Sequence, residues 1–362
     1  MNKPLAGVFV LDLTRLLPGP MASLHLADLG ADVLKIEDPG AGDYARVMGA
    51  MDGAASYFFK LINRNKRSRV LDLKSADDRA VLLEMVESAD ILLEGFRPGV
   101  MGRLGLDYET LAQRNRRLVY CSITGYGQTG PYAQRAGHDI NYLGYAGVLD
   151  QMGVAGGAPA LSNLQIADLL GGALTPLVGV LAALVSARTH GRGRYLDVAM
   201  TDAALAHNIF PMVQTLADGR PTARGEDLLT GGVPCYGVYE TSDGLHMAVG
   251  ALEAKFWHLL CDTLQRPDLK PLHLSEGAAG ARARAELAAI FRHRTRAQWE
   301  AVFDAVDCCV TPVLSLEESL DNVQIKARNM VGTVGGMRQF APPFGMAGIN
   351  LSDATPAPIE KK

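Results

Sequence analysis

Gly7-Val8-Phe9-Val10-Leu11-Asp12-Leu13, followed by Pro18-Gly19-Pro20 and then by Asp32-Val33-Leu34-Lys35-Ile36-Glu37, is the stretch that decides the fold. The first run is short and apolar and ends in a Pro-Gly-Pro turn, as a buried strand does. A helical pattern then runs through Leu24, Leu26 and Leu29 and stops at Gly30, where a residue free to take positive φ closes a helix. The third piece reads as a second strand. Together they read as one β-α-β unit, the building block of a parallel sheet covered by helices.

The same alternation continues outward. Strands are expected at Arg69 to Leu73, Ile91 to Leu93, Leu118 to Ile123 and Tyr195 to Val198, with helices around Asp77 to Ser88 and Leu164 to Thr189. This predicts a Rossmann-like, doubly wound α/β domain over residues 1–218. From about Gly219 the texture changes. Pro234 to Glu240 and Leu245 to Val249 flank Thr241-Ser242-Asp243-Gly244, where Asp-Gly marks a hairpin. Helical patterns at Lys255 to Leu264, Ala281 to Phe291 and Ala297 to Ala305, and a late strand at Val310 to Leu314, complete a smaller α+β domain over 219–318. The Gly- and Pro-rich tail from Gly332 to Pro358 is expected to run extended over another surface.

Composition narrows the function. The chain has 362 residues, 48% hydrophobic and 20% charged, which suits a globular protein with a large core. With 35 basic against 39 acidic residues, a net charge of −4 provides no global field for nucleic acid. Five cysteines without C-x-x-C spacing argue for a reducing compartment, expected to be cytoplasmic, and against structural zinc. The N-terminal residues run straight into a strand, without the pattern of a secretory signal. Leu169 to Val185, the longest apolar stretch, is interrupted by Gly171, Gly172, Thr175, Pro176 and Gly179 and reads as a buried helix rather than a membrane span.

Three ionisable residues stand among packing residues: His138 in Gly137-His138-Asp139-Ile140-Asn141-Tyr142, Asp168 in Ala167-Asp168-Leu169-Leu170-Gly171-Gly172, and Glu253 in Gly250-Ala251-Leu252-Glu253. A histidine and two carboxylates suffice to move protons. Taken singly, His138 also fits a packing residue, Asp168 a helix start, and Glu253 the cap of the helix near Lys255. Among ligand signals, the first β-α turn lacks G-x-G-x-x-G, which argues against an ordinary dinucleotide site. Glu37 at the end of the second strand is a candidate ribose contact or a solvated strand end. Arg97 in Gly95-Phe96-Arg97-Pro98-Gly99 lies past a strand, where a planar guanidinium suits phosphate. The cluster Asn63-Arg64-Asn65-Lys66-Arg67-Ser68-Arg69 fits either a polyanion site or a solvated basic turn.

Along nearly its whole length the chain resembles the α-methylacyl-CoA racemases within the family III CoA-transferases. The motifs that carry this are Leu17-Pro18-Gly19-Pro20, Asp28-Leu29-Gly30-Ala31-Asp32-Val33, Lys66-Arg67-Ser68, Phe96-Arg97-Pro98-Gly99-Val100, Gly125-Tyr126-Gly127-Gln128-Thr129-Gly130, Gly137 to Tyr142, and Cys309-Val310-Thr311-Pro312-Val313-Leu314. Most belong to both branches; Gly137 to Tyr142 and Gly250 to Glu253 resemble the racemases. The resemblance implies a CoA-thioester substrate, with no metal and no tightly bound cofactor. His138 paired with Glu253, and Asp168, would then be two bases that invert the α-carbon. In the transferases the residue matching Asp168 is a nucleophile instead. Lys66, Arg67, Arg97, Glu37 and Tyr142 are the implied CoA contacts; the place of Asp168 near a helix start makes its own N–H a candidate donor to the enolate. Also implied are a large domain completed by residues 319–362, an interlocked homodimer, and a place in fatty acid metabolism with neither membrane nor nucleic-acid partners. The chain departs from the racemase pattern at Asp38, where an arginine is usual, at Thr230, where aspartate is usual, and at Cys235 in Pro234-Cys235-Tyr236.

Overall fold

The computed structural model describes residues 3–360. Its main sheet has six parallel strands, β1 (Phe9–Leu13), β2 (Asp32–Glu37), β3 (Lys66–Val70), β4 (Ile91–Glu94), β5 (Val119–Thr124) and β6 (Tyr195–Ala199), in the order β3-β2-β1-β4-β5-β6. The order reverses between β1 and β4, so their carboxyl ends open a crevice that helices cannot fill, the place where sheets of this kind take ligands. The first strand pair is in register from Phe9 opposite Asp32 to Asp12 opposite Lys35. β3 begins at Lys66, three residues before the expected Arg69, so part of the basic cluster belongs to the sheet.

Alternation sorts the strands onto two covered faces. Val10, Val33, Ile91, Leu93, Val119 and Cys121 pack against the first helix, Pro18–Asp28, and the helix Thr175–His190. Leu11, Leu34, Leu92 and Tyr120 point the other way, onto Leu82, Val86, Met101 and Leu111 of the helices Ala76–Ser88, Val100–Leu104 and Tyr108–Arg114. Burial on both faces explains the near-continuous apolar strands. The long apolar segment is one continuous helix, Ala167–His190, whose length and mean hydropathy of 2.0 would suffice to cross a bilayer. Here Ala173, Leu177, Val180, Ala183, Leu184 and Ala187 are buried against the sheet.

The chain divides into two compact units: the larger comprises the chain up to Val148, Ser162–Asn208 and the segment from Val323 on; the smaller is Leu149–Leu161 with Ile209–Asn322. The smaller unit thus begins at Ile209, not at 219, and takes in an earlier segment with no sequence signature. It holds a three-stranded antiparallel sheet of β7 (Tyr236–Glu240), β8 (His246–Gly250) and β9 (Val310–Pro312), in which β8 is central. Gly244 at φ +74° makes the expected turn, closed by Thr241 N–H to the Leu245 carbonyl. Trp257, Leu260, Phe291 and Trp299 fill its core. The tail is not simply extended. It forms the hairpin β10 (Val331–Val334) and β11 (Met337–Phe340), then sends Ala357 into a cluster with Ala45, Ala55, Phe59 and Ile62.

The basic cluster is split, with Arg67 and Arg69 exposed and Arg64 and Lys66 internal. Arg64 is 4% exposed and forks onto Asp28 with bonds of 2.9 and 2.5 Å. Lys66 is equally buried, donating to the Pro20 carbonyl and Asn63 Oδ1 at 2.8 Å and lying 3.5 Å from Asp12. Lys35, fully buried, reaches Asp43 and the Thr14 carbonyl, both at 2.8 Å. Burial drags the Lys66 ammonium down to about 7; Lys35 and Lys66 keep Asp12 ionised against its own burial. Every charge here is paired, as an interior site requires.

Removing one partner of such a cluster leaves a buried charge uncompensated. Lys35→Met is therefore expected to destabilise the protein by about 3–5 kcal/mol. Urea unfolding measures this, and a loss under about 1 kcal/mol, as surface pairs give, would demote the cluster to a minor contributor.

Candidate active site

The turn after β1 builds one wall of the crevice. Asp12 accepts from the Thr14 N–H at 2.9 Å and from the hydroxyls of Thr14 and Ser23, pulling the chain back across the strand end. Leu16 sits at φ +62°, unusual for a branched residue, and its N–H is held by Asp43 Oδ1 at 2.9 Å. A Cβ at Gly19 would stand 2.3 Å from the Thr14 side chain, so glycine is required where the helix starts this close. The opposite lip, Gly95 to Pro98, follows β4 and is fixed by the Phe96 N–H donating 2.8 Å to Glu94. Burial raises the Glu94 carboxyl to about 7.

Between these lips lies a cavity of about 1130 Å³ whose lining includes Thr14 to Gly19, Gly95 to Pro98, Arg135, His138, Tyr142, Gln165 and Asp168. A second cavity, about 660 Å³, adjoins it and shares Leu13, Arg15, Tyr44 and Phe96. Together they form one cleft along the carboxyl ends of β4, β1, β2 and β3. Lys74 and Arg103 line its far part, two cations that pattern reasoning missed because each looks like an ordinary surface residue at an element end.

His138 is exposed to the cavity and caps the helix Asp139–Tyr145, with its N–H bonded to Asn141 Oδ1 at 3.0 Å. The preceding glycine has a steric cause: a Cβ on Gly137 would lie 2.7 Å from the Tyr142 ring and 2.9 Å from the Tyr126 hydroxyl. Gly125 is constrained by the same ring. Tyr142 is thus a buried strut, 7% exposed, whose hydroxyl donates to the Gly137 carbonyl.

Asp168 lies on a π-helical turn, Ala167–Leu174, a geometry that recurs at functional sites because it re-aims side chains. Burial first, and the charge of Asp139 second, raise its carboxyl to about 7. Its N–H donates to Asp139 Oδ1 at 3.0 Å, so this amide is not the expected enolate donor. Gly171 and Gly172 on the same turn serve close packing. Cβ atoms there would meet Met200 at 2.9 Å and Pro18 at 2.3 Å, so these glycines let two helices touch.

The remaining expected contacts divide by burial. Arg97 lines the cavity. Lys66 faces the interior, as described above. Glu37 borders the smaller cavity, yet it is 2% exposed and its oxygens are held by Arg46 at 2.7 and 2.6 Å, Ser68 at 2.6 Å and the Asp43 N–H at 3.0 Å. Arg67 is exposed on the edge strand and paired with Asp32 at 2.6 Å. Asp38, at the position of the usual arginine, binds Arg15 at 2.9 Å, which stacks over Tyr44 and Phe96 and so stands at the junction of the two cavities. Glu253 belongs to the smaller unit, where it stands at the N-cap position of the helix Ala254–Thr263 without a side-chain capping bond, its side chain exposed. Among the described residues no cluster of three or more His, Cys, Asp or Glu side chains is arranged to hold a metal.

Residues 5–360 match CoA-transferase family III. The chain is 37% identical to the α-methylacyl-CoA racemase of Homo sapiens over 325 residues, covering 90% of this chain and 81% of that protein. It is 35% identical to the acetyl-CoA:oxalate CoA-transferase of Acetobacter aceti, covering 95% and 90%. The crystal structure of a CaiB/BaiF family protein from Brucella suis superposes with a TM-score of 0.86 at 29% identity, over 99% of this chain and 96% of that one.

A carboxyl raised from 3.8 to about 7 on folding costs stability as pH climbs between those values. Below pH ~4 the group is protonated in both states and the cost vanishes. Asp168→Asn, which cannot ionise, is therefore expected to melt higher than wild type at pH 8 and to match it near pH 4. Calorimetric scans at both pH values check this, and equal melting points at pH 8 would place Asp168 in a solvated environment.

Proposed function

The chain belongs to CoA-transferase family III, and from that premise we propose that it is a racemase or epimerase of 2-methylacyl-CoA thioesters. The observation that carries this reading is the convergence of His138 and Asp168 on one cavity at the crevice of the sheet. Inversion removes the α-proton from one face and returns a proton to the other, so it needs one base and one acid at the same pH. Asp168, raised to about 7, is near balance between the two forms at neutral pH. His138, open to the cavity, takes the other face, with Glu253 as its proposed orienting partner. The enolate oxygen needs an N–H donor; with the Asp168 amide occupied, the amides of Asp139 and Ile140 in the turn after His138 are the candidates.

The nucleotide end of CoA is assigned to the smaller cavity, where Lys74 and Arg103 supply positive charge beside the Arg15–Asp38 pair, and Arg97 to the passage toward His138. No residue is called on for metal or redox chemistry. A second reading has its own support: in a CoA-transferase, Asp168 attacks the donor thioester and carries CoA as an aspartyl thioester. The match to the oxalate transferase and the shared aspartate favour it, whereas that chemistry leaves the exposed His138 unused.

We also propose a homodimer. Leu174, Val178 and Val185 on the long helix are 43%, 70% and 67% exposed, and the helix Ile209–Asp218 of the smaller unit exposes Ile209, Phe210, Val213 and Leu216. Apolar faces of this kind mark interaction surfaces. Sedimentation at micromolar concentration is expected to give twice the chain mass of 38.7 kDa; a monomer would leave those faces unexplained.

The reaction is tested by incubating a 2-methylacyl-CoA with the enzyme in deuterated water without acceptor acid. Deuterium at the α-carbon with loss of configuration is expected. His138→Ala should lower that exchange by about a hundredfold or more while leaving CoA affinity unchanged by calorimetry; Lys74→Ala should weaken CoA binding instead. Absence of exchange, with CoA transfer once acids are added, would move the assignment to the transferase.

A further inference from the structure

Asp139 stands between the two residues proposed to exchange protons. Its backbone directly follows His138 and forms the first residue of the helix Asp139–Tyr145. Its side chain turns to the π-helical turn and accepts the Asp168 N–H at 3.0 Å. One residue therefore ties the segment bearing the histidine to the segment bearing the carboxyl, which are far apart in sequence. We propose that Asp139 is a positioning residue for catalysis, coupling His138 and Asp168 through its own main chain and through its carboxylate on the Asp168 amide.

This inference deepens the reading of His138 and Asp168 as the reacting pair and rests on it. Two roles follow from the one contact. The hydrogen bond fixes the backbone from which Asp168 projects, and a shift of about 1 Å in a reacting group is enough to cost about a hundredfold in rate. Burial is the larger cause of the raised Asp168 titration, and the negative charge of Asp139 beside it adds to that rise. The ionisable groups that act here are Asp139 and Tyr142, both on the helix after His138. The first helix and the helix Met200–Ala206 bring Pro18 and Met200 against Gly172 and Gly171; their ionisable groups are His25 and Asp28 on the first and Asp202 on the second, none of which shifts Asp168.

Two substitutions separate the roles. Asp139→Asn keeps an oxygen that can accept the Asp168 amide but removes the charge; Asp139→Ala removes both. The readout is the ¹³C titration of the Asp168 carboxyl, assigned by its loss in Asp168→Asn, together with the pH profile of turnover. In Asp139→Asn the Asp168 midpoint and the matching limb of the profile are expected to move down by about one pH unit. At its own optimum this variant should keep kcat within about threefold of wild type, while Asp139→Ala should lose about tenfold or more with little change in KM. An unmoved midpoint in Asp139→Asn overturns the inference, and so does a midpoint that moves while the activity limb stays. Failure of the racemase reading is seen separately, as a shifted midpoint in a protein whose wild type exchanges no α-proton; the limb is then read on CoA transfer, which needs the same carboxyl.

Discussion

Four fully paired charges inside the carboxyl end of the sheet, Asp12, Lys35, Asp43 and Lys66, are what the ligand cleft depends on. Nothing apolar could do their work, because each also satisfies main-chain groups of the turn that lines the cleft: the carbonyls of Thr14 and Pro20 and the amides of Thr14, Leu16 and Ala45. A buried ion pair is seldom the most stable filling for a core. It is, however, directional, and direction is what an irregular turn needs if Leu16 is to be held at positive φ beside a ligand site.

The same economy recurs on the opposite side of the cleft. Glycines at 125, 137, 171 and 172 are not hinges; each lies where a tyrosine ring, a methionine or a proline occupies the space of a side chain. Close approach locks the elements that carry His138 and Asp168, and the contact from Asp139 joins them. Rigid backbone around an exposed histidine and a carboxyl half withdrawn from water is the arrangement that proton transfer at carbon demands.

The fold was legible because a parallel sheet covered on both sides writes itself as apolar runs separated by helical periodicity, and the strand-helix-strand unit at the N-terminus could be read residue by residue. The family motifs named His138 and Asp168. What could not be read was the fate of charge. Lys66, Arg64 and Glu37 look like ligand contacts in a linear text, and only the three-dimensional pairing with Asp12, Asp28 and Arg46 shows them to be internal. Conversely, Lys74 and Arg103 look like solvated ends and line the cleft. Sequence patterning reports which side chains are polar, whereas their use depends on partners distant in the chain.

The tail gives one more of these distant partnerships. Arg46, already forked onto Glu37, donates to the carbonyls of Pro358 and Ile359, and Asn65 exchanges bonds with Thr355. The larger unit is therefore discontinuous, with some of its contacts made by residues synthesised only after the smaller unit. During synthesis, the β1 to β3 region must wait, its cluster around Phe59 lacking Ala357, until the whole intervening smaller unit has been made. Closing so long a loop is slow, and an unfinished nascent chain remains exposed to aggregation and to chaperones for that interval.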